Sequence, residues 1–190
     1  MNKYQDIEFK NIISSIESNE EFQKLKNIKH HGITRYEHSL RVAYYSYKVT
    51  KLLHLDYKDT TEAALLHDFF HEEVSDKNFI ARLRKHPKYA VENAGRICDL
   101  NAKQIDIIKT HMFPITFTPP KYMESWIVDI VDDISAIAEQ SRVIKRQAKV
   151  VGTFILVLLF HHKKISKGSI SLFVYKERRN EYAKNIYFRS

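Results

Sequence analysis

Along residues 4–144 apolar side chains recur at intervals of three and four, the spacing that sets them on one face of a helix. Residues 4–18 carry Ile7, Ile12, Ile13 and Ile16 in this way, and Ser18-Asn19-Glu20-Glu21 resembles a capping box opening a short second helix with Phe22 and Leu25. The pattern breaks at His30-His31-Gly32-Ile33, where Thr34-Arg35-Tyr36-Glu37 gives a second capping-box match. The helix it opens carries His38, Val42, Tyr45, Val49 and Leu52 as one stripe.

Asp59 with Glu62 is expected to cap the next helix, which runs through Ala63-Ala64-Leu65-Leu66 to about residue 70. A polar loop over residues 71–78 leads to a short helical piece at 79–83, and His86-Pro87 marks a fresh start, since proline suits the first turn of a helix. Tyr89, Ala90, Ala94 and Ile97 continue that helix; Asn101 with Gln104 caps the following one, which Phe113-Pro114 ends. Residues 122–144 form the last helix of the compact part, with Trp126, Ile130 and Ile137 as its apolar face.

Only four glycines and four prolines punctuate the 190 residues, which favours long helices over many turns. The expectation is an all-α fold, a compact multi-helix bundle. Residues 1–29 supply N-terminal helices packing on the core, residues 30–144 the central domain, and residues 145–190 a C-terminal extension.

Charge divides unevenly. Residues 142–190 hold twelve of the 31 basic and two of the 23 acidic residues, leaving 19 basic and 21 acidic residues in the first 141. The basic tail could meet an anionic membrane surface or, with less support, nucleic acid. Its apolar run, residues 150–160, spans only about 16 Å as a helix and is too short to cross a bilayer, though its basic flanks resemble those of an interfacial anchor. A buried helix or strand is the favoured reading there, and 170–175 could be a short strand. The single cysteine, Cys98, allows no internal disulfide, and residues 1–6 lack the apolar stretch of a secretory signal. A cytoplasmic protein, with peripheral membrane contact through its tail, is the expectation.

The candidate chemistry lies in histidines and aspartates. His67-Asp68 ends an apolar run and offers two ligands for a divalent cation; His38, His86 and His111 fall on other helices; and Asp129, Asp132 and Asp133 crowd three carboxylates into five residues. Weighed singly, each has a structural explanation that fits at least as well: a core histidine, a capped helix end, a solvated acidic face. Together they fall near ends or core-side faces of successive helices, a pattern far less expected by chance.

These residues resemble the HD-domain superfamily of metal-dependent phosphohydrolases over about residues 30–140. The likeness rests on Arg35-Tyr36-Glu37-His38-Ser39-Leu40-Arg41-Val42-Ala43, on Ala63-Ala64-Leu65-Leu66-His67-Asp68, on His86-Pro87, on Ile108-Lys109-Thr110-His111 and on Ile130-Val131-Asp132-Asp133. The resemblance implies the six-ligand, two-metal version of the family. His38, His67, Asp68 and Asp132 would hold one ion, and Asp68 would bridge to a second held by His86 and His111. Asp132 is chosen by the family register, while helical spacing aligns Asp133 better with Trp126, Ile130 and Ile137; Asp133 and Asp129 stand as alternative ligands or supporting groups. Where many members follow His-Asp with an apolar residue, glycine and lysine, this chain has Phe69, Phe70 and His71. His71 joins Asp68 as a candidate catalytic residue, and Arg35, Arg41 and Lys88 are candidates for holding phosphate.

The implied activity is hydrolysis of a small phosphorylated substrate, a nucleotide above all, with manganese or iron the best-suited metals. A symmetrical dinucleoside-polyphosphate hydrolase is one form of it. The alternatives are a ligand-binding, regulatory domain without turnover and a membrane-docked protein whose tail is its main surface. No glycine-tyrosine-proline motif follows the site, which disfavours a cyclic-dinucleotide substrate.

Overall fold

The computed structural model describes residues 4–30, 32–71, 78–141 and 144. The apolar segment 150–160, the strand expected at 170–175 and the rest of the basic extension lie outside the described residues. Helix α1 spans Ile7–Glu17, α2 Glu20–Gln23, α3 Arg35–Leu52, α4 Tyr57–Leu66, α5 Phe79–Ala94 and α6 Ala102–Thr110; α7 covers residues 123–141. A turn of 3-10 helix, Lys24–Asn27, follows α2 and leads into a small antiparallel hairpin, β1 Lys29–His30 and β2 Ile33–Thr34. The all-α expectation holds apart from that hairpin, where Gly32 takes a φ of 85° that other residues rarely adopt. No helix among the described residues is long and apolar enough to cross a membrane.

Local chemistry explains most boundaries. Two of the four capping matches read from the sequence are present as capping boxes, Thr34 with Glu37 at α3 and Asn101 with Gln104 at α6. Asp6 caps α1, and Asn19 rather than Ser18 caps α2. At α4 the cap is Asp56, whose side chain accepts from the Asp59 backbone N–H at 3.3 Å, so Asp59 sits in the first turn instead of before it. Residues 79–94 form one helix, not two. Asn78 caps it, and Pro87 is accommodated inside, where it withholds only the N–H that would meet the Leu83 carbonyl one turn back.

The core runs from α1 and α2 through α3 and α4 to α6, with Phe9, Ile13, Phe22, Leu25, Val42, Tyr47, Leu65, Leu66, Ile107 and Ile108 fully or almost fully buried. Each large apolar side chain so buried contributes about 1.5–3 kcal/mol. The Phe22 ring packs 5.7 Å from Phe69 and 5.8 Å from Tyr36, tying the N-terminal helices to the segments that flank the chemistry.

Two stripes turn out differently from their apolar spacing. In α3 the buried face is Arg35, His38, Ser39, Val42, Ala43, Ser46, Tyr47 and Thr50, whereas Tyr45, Val49 and Leu52 are exposed to differing degrees. Small residues at 39, 43 and 46 allow α4 to lie close along α3, and Thr50 satisfies its hydroxyl by donating to the Ser46 carbonyl at 2.7 Å. In α7 the expected core face, Trp126, Ile130 and Ile137, is solvent-exposed, with Ile137 at 68%. The buried face instead carries Val128, Asp129, Asp132, Ser135 and Glu139. Polar groups turn inward there because they meet polar groups.

Candidate metal centre

Helix α4 stops at Leu66, and the next residues fold back at once: the Phe69 N–H donates to the Leu66 carbonyl at 3.0 Å and the Phe70 N–H to the Asp68 carbonyl at 2.8 Å. The stop places His67 at the helix end. Its Nδ1 lies 2.8 Å from the Ala64 carbonyl, which can only accept, so Nδ1 carries the proton. Nε2 is left bare, buried and without a hydrogen-bond partner. His111 repeats the device at the end of α6, its Nδ1 donating to the Ile108 carbonyl at 2.8 Å. Two helix ends thus present imidazoles in the same tautomer, each offering a lone pair on Nε2.

Around these two rings the other groups converge. Asp132 Oδ1 lies 2.8 Å from His38 Nε2 and 3.6 Å from His67 Nε2. Asp68 Oδ1 lies 3.3 Å from His86 Nε2 and 3.8 Å from His111 Nε2, while the two histidine Nε2 atoms are 2.8 Å apart. Donors bound about 2.1 Å from one ion stand roughly 3 to 4 Å apart, so these separations fit shared cations. Three overlapping groups bring their donor atoms within 4.8 Å of one another: His38, His67 and Asp132; His67, Asp68 and His111; and His30, His38 and Asp68.

The electrostatics agree. Burial alone would raise both carboxyls, yet the surrounding imidazoles hold Asp68 and Asp132 well below the usual carboxylate range. Burial opposes a charge on His38, but hydrogen bonds to Asp132 and Glu139 outweigh it and push its pKa up to about 10. Burial, reinforced by His67 and His86, pushes His111 down to about 3. Asp129, buried beside Asp133 and Asp132, is raised to about 7, with Oδ1 unpartnered. A bare imidazole nitrogen enclosed in protein, facing carboxylates kept ionised, is a donor set for a divalent transition metal.

The six residues named from the resemblance, His38, His67, Asp68, His86, His111 and Asp132, are all buried and come together here. Asp133 is exposed on the outward side of α7, with the isoleucine stripe that its spacing matched. The residues expected to contact phosphate fare differently. Arg35 is buried, its guanidinium 3.8 Å from the Phe70 ring centroid and its Nε 3.9 Å from Asp68 Oδ2. Arg41 is instead taken up by Glu139, because a buried carboxylate on α7 demands a cation. Lys88 extends into solvent and reaches Glu92 on its own helix at 3.8 Å. His71 turns toward α2, 3.7 Å from Glu21 and edge-on to Phe69, rather than to a phosphate beside Asp68.

Two residues escaped the sequence reading. Glu139 Oε2 accepts from His38 Nδ1 at 3.0 Å, and its position seven residues after Asp132 puts it on the same helix face, a signal that was there to use. His30 comes from the hairpin, where no helical spacing could point to it.

Comparison with known proteins bears on this constellation. The family model for the HD domain matches residues 35–137, more than half of the chain. The chain belongs to the HD-domain family. No curated protein and no solved structure matches it. The matched stretch contains the six convergent histidines and aspartates of this HD domain, and the family is one of metal-dependent phosphohydrolases. Both His30 and Glu139 lie beyond its ends.

Proposed function

We propose that this HD domain is a two-metal phosphohydrolase that cleaves a phosphoester or phosphoanhydride bond of a nucleotide or a similar small molecule. The observation that carries the reading is Asp68, a buried carboxylate with Oδ1 directed to His86 and His111 and Oδ2 to the opposite side. His38, His67, Asp132 and Asp68 would hold one ion, and Asp68, His86 and His111 the other. Manganese or iron suits this mixture of imidazole and carboxylate better than magnesium or calcium. Bound there, the ions would provide a nucleophilic water at neutral pH and Lewis acidity toward the phosphoryl oxygens.

The protein's share is placement. Carbonyls of Ala64 and Ile108 fix the tautomers of His67 and His111, Glu139 fixes that of His38, and Asp68 joins the two halves. Arg35, packed on Phe70 beside Asp68, offers a fixed positive charge near the bridging carboxylate. Dinucleoside polyphosphates belong to the same substrate class and enter the same assay.

The test is metal content and turnover together. Protein purified anaerobically with manganese or iron should carry two ions per chain and hydrolyse members of a nucleotide panel, and Asp68→Ala should lose both properties. Full activity in Asp68→Ala would end the mechanism; two ions with no turnover of any phosphorylated compound would favour a ligand-binding role instead.

A further inference from the structure

We infer that His30 is a seventh ligand of the centre, brought to the first ion by the β1–β2 hairpin. The inference rests on the metal-binding reading above and adds a residue to it.

The hairpin is anchored to the start of α3, since the Arg35 N–H donates to the Ile28 carbonyl at 2.9 Å and β2 runs directly into the Thr34 cap. That connection holds His30 against the first turns of α3, where His38 lies. The two rings pack with centroids 4.6 Å apart at 45°. His30 Nε2 points onward to Asp68 Oδ2 at 3.8 Å. The carboxylate at the centre therefore divides its oxygens, Oδ1 to the imidazoles of His86 and His111 and Oδ2 to that of His30.

Donor atoms of His30, His38 and Asp68 lie within 4.8 Å of one another. Two donors about 2.1 Å from one ion can stand at most roughly 4.2 Å apart, a limit that the 3.8 Å between His30 Nε2 and Asp68 Oδ2 already meets. The side chain is 21% exposed, so His30 closes the centre from its solvent side.

The assignment makes the two halves unequal. Five side chains (His30, His38, His67, Asp68 and Asp132) would surround the first ion and three (Asp68, His86 and His111) the second. The substrate's phosphoryl oxygen then finds its open positions on the His86 and His111 side.

Cobalt(II) added to the chelator-stripped full-length chain gives the test, read by equilibrium binding and by the visible absorption of the bound ion. The wild type should take two ions. His30→Ala should take one of them at unchanged affinity and the other about tenfold more weakly or worse, with an altered cobalt spectrum. His30→Asp, which supplies a carboxylate oxygen in place of the imidazole nitrogen, should recover part of that loss. The melting temperature of the stripped protein should be the same in all three, and if His30→Ala does not fold, His30→Gln takes its place with the same criteria. Two ions bound as in the wild type by the alanine or glutamine variant would overturn the role of His30 and leave the two-metal reading standing. A wild type that takes one ion, weakened by His30→Ala, would do the reverse; a wild type that takes none removes both.

Discussion

Nδ1 of His38 and Oε2 of Glu139 are 3.0 Å apart, joining the first helix of the matched region to a residue just beyond its end. The same carboxylate takes up Arg41, so one side chain of α7 both orients an imidazole and neutralises a cation. Glu139→Gln should weaken metal binding by about tenfold, because the amide cannot favour the same tautomer and partner at once. Glu139→Ala should also destabilise the stripped protein by about 3–5 kcal/mol, since it strands a largely buried guanidinium. Metal titration and urea unfolding separate the two effects. An alanine variant equal to the wild type in both would show that the pair is incidental.

Without metal, the protein should lose stability as pH rises above 6.5. His38, with a folded pKa of about 10 against an ordinary 6.5, contributes stability that is complete below pH 6.5 and lost as pH rises through 10. Below pH 6.5 two groups oppose each other: His111, with a folded pKa of about 3, loses stability as pH falls, while Asp129, raised to about 7, loses it as pH rises. Urea unfolding of stripped protein across pH 6–10 should trace the alkaline loss. The loss should shrink in His38→Asn, where His67, also raised by Asp132, still contributes, and saturating metal should flatten it in the wild type, because the ion replaces the His38 proton. A profile flat from pH 6.5 to 10 without metal would contradict the geometry.

Much of this arrangement is legible in the sequence. The caps at Thr34 and Asn101 follow from side chains that compete for backbone N–H groups within three residues, which is local chemistry. Convergence of His38, His67, Asp68, His86, His111 and Asp132 was readable only through the family pattern, since each residue alone fits a structural role. The faces of α3 and α7 were not legible from apolar spacing. Ser39, Ser46 and Thr50 are buried because their size lets helices approach, and Asp132 and Glu139 because they meet His38 and Arg41. Spacing rules score such residues as solvent-facing. His30 depends on a hairpin whose position only the tertiary structure sets.

The reversed face of α7 gives a direct stability contrast. Ile134, 62% exposed, should accept lysine with a change within about 0.5 kcal/mol. Ile108, fully buried, should lose about 2–5 kcal/mol on replacement by alanine. Paired urea titrations decide the matter, and a large loss from Ile134→Lys would mean that the stripe is covered after all.

Pro87 stands inside α5, next to His86, where its missing N–H leaves the Leu83 carbonyl without the usual donor. An interior proline costs a helix about 3 kcal/mol, and part of that cost should be recoverable. Pro87→Ala should therefore raise the melting temperature, less than the full amount allows because the buried ring is lost and the unfolded chain gains freedom. The same change restores regular helix beside His86, whose Nε2 must stay 2.8 Å from that of His111 for the two to share an ion. Metal affinity on that side should fall as stability rises, the exchange expected where a strained element serves a site. Thermal melts of stripped protein and cobalt titration of the variant measure the two sides independently. Higher stability with unchanged affinity would mean that the proline is merely tolerated, and lower stability would mean that its ring packing outweighs the lost hydrogen bond.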